Sequence, residues 1–212
     1  MVCGIRSITV SGEGSVTVKP DTASLSLGVQ AMRGTATDAL NEANGSAAAL
    51  IAALKGAGIG GGDIATSGLS IHPQYGSKNN AITGYQAANS VTVTVRNIAD
   101  VGTLIDVAAN AAGEQITVGG VSFYVDDTEA LIGAARVDAI NNARKRAGEF
   151  AAAAGASVGA VQEISEASIN SPVTPLFRSM SMQKFSGGGS PTPVESGTQE
   201  LAVTVTVVFE LE

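Results

Sequence analysis

Two side chains on which much catalytic chemistry depends are almost missing from this sequence. Cysteine occurs once, as Cys3, and histidine once, as His72. One cysteine excludes an internal disulfide and any cysteine-based metal cage. Cys3 reads either as a lipid-attachment site or as a free thiol on a frayed terminus. Hydrolytic triads and most catalytic metal sites lean on histidine. His72 sits in "SIHPQY" beside Pro73 and reads as a solvated strand-end residue. Basic charge is also scarce: 12 Lys and Arg stand against 19 Asp and Glu, for a net charge of -7. That balance excludes a basic nucleic-acid face and electrostatic attachment to an anionic membrane. No apolar run approaches the roughly 18 residues of a membrane span, so no transmembrane segment is expected. No charged segment leads into an apolar one at the start, so no signal peptide is expected there. The opening "MVCGIRSITV" reads as a chain from which an upstream segment has been cut.

What is present is apolar residue in quantity, 44% of the chain, enough to bury a sizeable core in one large domain or two small ones. "GEGSVTVKPDTASLSLGV", residues 12–29, poses the main ambiguity. Its glycines could cradle a phosphate, but such a loop opens a helix. Here they run into Ser15-Val16-Thr17-Val18, whose alternation spells a strand, and Glu13 would repel a phosphate. Lys19-Pro20-Asp21 is turn chemistry. Ala23, Leu25, Leu27 and Val29 then alternate again, so residues 7–18 and 22–29 read as an antiparallel hairpin. "GAGIGGGD" at 56–63 follows a helix instead of preceding one and reads as a C-cap and loop.

Further along, three-to-four spacing predicts a helix over 35–55 with Thr35 as N-cap. Strands are predicted at 64–75 and 82–96, joined by the polar loop "GSKNNA". A short helix at 98–112 ends at Gly113, and a strand at 115–125 carries a Gly119-Gly120 bulge. The longest helix spans 127–154, with a buried stripe expected at Leu131, Ala135, Ala139, Ala143, Ala147, Phe150 and Ala154. Strands follow at 158–169 and 199–211, separated by a Pro-, Ser- and Gly-rich stretch at 171–197. The fold class is α+β, antiparallel sheets packed against three helices. "ITV" at 8 and 116, "SIHP" against "SINSP", and "VTVTV" at 91–95 and 203–207 recur in order. They suggest two related βαββ units within one domain, 7–97 with an extra N-terminal hairpin and 98–212 with the connecting helix and the long loop.

Candidate chemistry is sparse. Asp126, Asp127 and Glu129 could hold a hard cation, yet acidic residues are favoured at a helix start anyway. "RKRAGEF" at 144–150 reads as a solvated face with Glu149 as counter-charge, or as an anion site. No catalytic residue, metal site or cofactor is expected. The stretch that asks for a partner is "LFRSMSMQKF": Leu176, Phe177, Met180, Met182 and Phe185 lie among too many prolines and glycines for a core element. They form either an interface or a loop folded back on its own sheet.

"ITVSGEGSVTVKPDTASLSLGV", "DIATSGLSIHPQY", "ITGYQAANSVTVTV" and the final alternating strand together resemble the SIMPL-domain (DUF541) family, over residues 7–211. That family includes the 26 kDa periplasmic immunogenic proteins. The resemblance implies export to the periplasm or cell envelope. It also implies large ring or channel-like oligomers, since some members form them. Some members are linked to oxidative stress, and animal relatives to kinase signalling. The family offers no catalytic residue set to carry over. The function expected is therefore a non-enzymatic envelope protein that forms homo-oligomers through strand edges and the 171–197 loop, with an envelope protein or lipid as a further partner. The alternative is a binding module for a peptide, lipid or cell-wall fragment in a groove between sheet and helices. A carboxylate-based hydrolase stands third.

Overall fold

A computed structural model describes residues 6–76, 81–166, 192 and 194–212. In chain order they form β1 (Ser7–Val18), β2 (Thr22–Arg33), α1 (Ala36–Gly56), β3 (Ile64–Tyr75), β4 (Ile82–Val95) and α2 (Val101–Ala112). β5 (Ile116–Tyr124), α3 (Glu129–Ala153), β6 (Val158–Glu166) and β7 (Gln199–Leu211) follow. The strands make two antiparallel sheets, one ordered β1-β7-β6 and the other β3-β4-β2-β5. With the three helices this is an α+β architecture.

The expected hairpin between residues 7–18 and 22–29 does not form. Both strands lie where alternation put them, but β1 pairs with β7, from Ser7 opposite Glu210 to Val18 opposite Gln199. β2 lies between β4 and β5 in the other sheet. Their core faces explain the separation. β1 turns Val10, Gly12 and Gly14 inward, whereas β2 turns in Ala23, Leu25, Leu27, Val29 and Ala31. A helix close enough to touch glycine backbone would collide with leucines beside it, so one helix cannot cover both strands. Lys19-Pro20-Asp21 therefore carries the chain out of one sheet and into the other.

The compact units follow the sheets. One holds the chain up to Pro20, the stretch from Val125, and the end from Gly197; the other is centred on Asp21–Tyr124. The expected division between residues 97 and 98 falls inside the second of these, between β4 and α2. In each unit a helix is followed by two strands that pair antiparallel, α1-β3-β4 and α3-β6-β7. The strand preceding α3, β5, lies in the four-stranded sheet, and β1 takes the place beside β7 that a contiguous βαββ unit would have given to β5.

In the larger unit, Leu25, Leu27, Val29, Val91, Val93 and Val95 of the sheet pack on Ala47, Leu50 and Leu54 of α1 and Val101, Leu104 and Ala108 of α2. Each such leucine contributes about 1.5–3 kcal/mol. Thr35 caps α1, its hydroxyl accepting the Asp38 N–H at 3.2 Å.

The smaller unit is built differently. Its helix α3 buries Ala135, Ala139, Ala143, Ala147 and Ala151, four residues apart. The stripe thus continues through Ala151; Phe150, expected inside, is 62% exposed, and Ala154 is exposed too. Strict four-residue spacing of a minimal side chain lets the helix backbone settle on β1. A methyl group added at Gly12 would meet the Ala139 carbonyl and come within 2.6 Å of the Ala143 nitrogen. One at Gly14 would meet the Ala135 carbonyl and the Ala139 nitrogen. Val203, Val205, Val207 and Phe209 of β7 complete this core. The Gly-Glu-Gly motif is therefore a close-packing device, with its glycines under a helix.

Replacing Gly12 by alanine is expected to lower stability by about 2–3 kcal/mol, because backbone must move to admit the methyl. Gly148→Ala on α3, where nothing lies within 4 Å, should instead be neutral or stabilising by about 0.5–1 kcal/mol. Urea denaturation of the two variants checks both.

Candidate functional site

Cys3 and the cluster Leu176, Phe177, Met180, Met182 and Phe185 lie outside the described residues. His72 is exposed on β3. Asp127 accepts the Glu129 N–H at 3.0 Å, as a residue just ahead of a helix does. Among the described residues, no group of three or more His, Cys, Asp or Glu side chains converges as metal ligands would. Arg146 reaches β1, and both it and Lys145 line an open groove together with Glu13, Ser15, Asp138 and Glu149. That groove, about 470 Å³, is polar and carries both signs of charge.

The sheet edges are more informative. In the three-stranded sheet both edges are guarded. On β1, the Glu13 carbonyl accepts from Asn142 Nδ2 at 2.7 Å and the Ser11 carbonyl from Arg146 Nη1 at 2.9 Å, so α3 occupies acceptors that another strand would need. On β6, two register irregularities break the ladder, and Glu163 and Glu166 add charge. Glu166 is also held to α3 by Arg136 at 3.0 Å.

The four-stranded sheet differs on one side, where β3 has a register irregularity near each end and Pro73 but no charge. Across β2, β3, β4 and β5 the only Lys, Arg, Asp or Glu is Arg33. β5 is blunted by the irregularity opposite Ser26 and Leu27, where Gly120 adopts φ 140°. β3 is an uncharged edge of 12 residues, paired regularly with β4 from Gly68 to Gln74. It carries Leu69 at 60% and Ile71 at 41% exposure, and Tyr75 opposite Ile82 at 55% and 52%. Helix α1 covers β4 and β2, burying Ala31 and Ala87 against Ala39 and Ala43, and leaves these side chains beyond its reach. Pro73 removes one N–H from this edge, so strand pairing there would end at His72.

The residue patterns of both sheets coincide with a known family. The SIMPL profile, described as a protein of unknown function (DUF541), matches residues 8–209. The chain belongs to the SIMPL family. It is 35% identical to the 26 kDa periplasmic immunogenic protein of Brucella melitensis, over 97% of this chain and 84% of that protein. The corresponding protein of Brucella abortus matches to the same extent. Another SIMPL relative, the uncharacterized protein YggE of Escherichia coli K12, is 29% identical over 97% of this chain and 83% of its own length.

Removing the guards on β1 has a measurable cost. Asn142→Ala and Arg146→Ala should each lower stability by about 1 kcal/mol and speed hydrogen exchange of β1 amides. Lys145→Ala should leave β1 exchange unchanged, as read by exchange mass spectrometry of the three variants.

Proposed function

We propose that the protein is an exported, non-catalytic component of the cell envelope that assembles with copies of itself through the β3 edge. The observation that carries this reading is the contrast between edges. Where a sheet must stay alone, natural proteins charge, bulge or cover its edge strand. β1 is covered by α3 and β6 is bulged and charged, whereas β3, irregular near its ends and closed by Pro73, keeps a regular stretch from Gly68 to His72 with Leu69 and Ile71 exposed and no charge at all. A chain of net charge -7 repels its own copies. An uncharged apolar edge is where two copies meet without burying charge. Antiparallel addition of one β3 to another is self-complementary, as a two-fold contact must be. Export is supported by the relatives named periplasmic in Brucella.

Light scattering coupled to size-exclusion chromatography tests the assembly. The unaltered chain should elute as an oligomer at tens of micromolar, and Leu69→Lys with Ile71→Lys should reduce it to a monomer with unchanged circular dichroism. A chain already monomeric, or an oligomer indifferent to both lysines, overturns this reading.

A further inference from the structure

On the opposite side of the same sheet, β2 outruns its neighbour. Its pairing with β4 continues to Arg33, but its pairing with β5 stops at Val29 opposite Ile116. The chain turns away there through a 3-10 turn at Gly113–Gln115, entered by Gly113 at φ 56°. Beside Gln30–Arg33 this leaves a groove of about 280 Å³ lined by Gln30, Ala31, Met32, Gln86, Glu114 and Thr117, among others. The Ala31 side chain is buried against Ala39 and Ala43, so what Ala31 brings to the groove is main chain. The Met32 carbonyl accepts from the guanidinium of its own neighbour, Arg33, at 2.7 Å, an exposed contact that an incoming strand's N–H must displace.

The side chains around this slot are polar and ordered in a row. Gln74 Nε2 donates to Gln86 Oε1 at 2.9 Å, and Gln86 Nε2 donates to Gln30 Oε1 at 2.8 Å. The row ends with the amide donors of Gln30 at the groove. Across from it, Gln115 is engaged with Glu42 and Ser46, whereas Glu114 is exposed and has no ion-pair partner among the described residues. Such a slot suits neither an apolar small molecule, for want of apolar walls, nor an anion.

We propose that the slot beside Gln30–Arg33 takes an extended peptide segment, added as a short strand to β2 in line with β5, with a basic side chain of the peptide reaching Glu114. Four residues of β2 span roughly 13 Å, which sets the length recognised. Backbone groups supply affinity and the alternate side chains supply choice, as in other strand additions. The site is independent of the β3 edge, which lies on the far side of β4 and β2.

The probe is acetyl-Thr-Val-Lys-Val-Thr-amide, titrated into the 212-residue chain and followed by amide NMR shifts. Shifts should concentrate on Gln30–Arg33 and Glu114–Thr117. Glu114→Lys should weaken binding roughly tenfold, and the same peptide with Glu replacing Lys should regain affinity for that variant. A peptide with alternate amides N-methylated should not bind. The proposal is overturned by an absence of shifts at about 1 mM peptide, by shifts centred elsewhere, by equal binding of the N-methylated peptide, or by indifference to Glu114→Lys.

Discussion

The smaller unit depends on one contact, the main chain of α3 laid on the main chain of β1. It requires absent side chains on both surfaces. Gly12 and Gly14 clear the strand, and Ala135, Ala139 and Ala143 clear the helix. Once the two backbones touch, side chains on the rim of the helix reach past the strand. That is why Asn142 and Arg146 arrive at the carbonyls of Glu13 and Ser11. Close packing and edge protection are therefore one feature: a larger residue at position 12 or 14 would lift the helix and withdraw both guards together.

The larger unit fills most of its core with leucine and valine, and meets the sheet through alanine only where Ala39 and Ala43 of α1 lie on Ala31 and Ala87. Its helix α1 shelters the two central strands and leaves β3 to its own composition. There the near-absence of charge matters. Solvent-facing strands ordinarily carry charged groups that make addition of further strands unfavourable. These four strands have serine, threonine and glutamine instead. Such groups both donate and accept hydrogen bonds and cost little to desolvate once paired.

Much of this fold could be read in the residues. Alternation located the strands to within a residue or two at most ends, because one buried face imposes period two. Thr35 and Gly113 marked helix ends by capping chemistry. Strand partners were harder, because sequence neighbours usually pair and Lys19-Pro20-Asp21 is compatible with a tight turn. The discriminating signal was the position of Gly12 and Gly14, in phase with Val10 and not with Ser11. Phe150 misled because its size suggests burial, while a helix seated on backbone admits only alanine along its contact line. At the surface, Leu69 and Ile71 look like any buried strand face in the sequence. Only the topology, which puts β3 outermost, exposes them. The shortage of charge in four consecutive strands was visible beforehand and carried the information about edges.

The pairing of β1 with β7 joins the beginning of the chain to its end. A ribosome or export channel delivers residues in order, so Ser7–Val18 must wait for Gln199–Leu211 before its ladder can close, whereas Asp21–Tyr124 emerges as a continuous block. Loop closure over such a span is entropically costly and slow. Until the final strand is released, the Val10 face and the alanine line of α3 have no complete shelter. A chaperone that shields nascent apolar segments would find its target there, and a transcript with an early stop codon would yield a product missing β7, to which the N-terminal strand pairs.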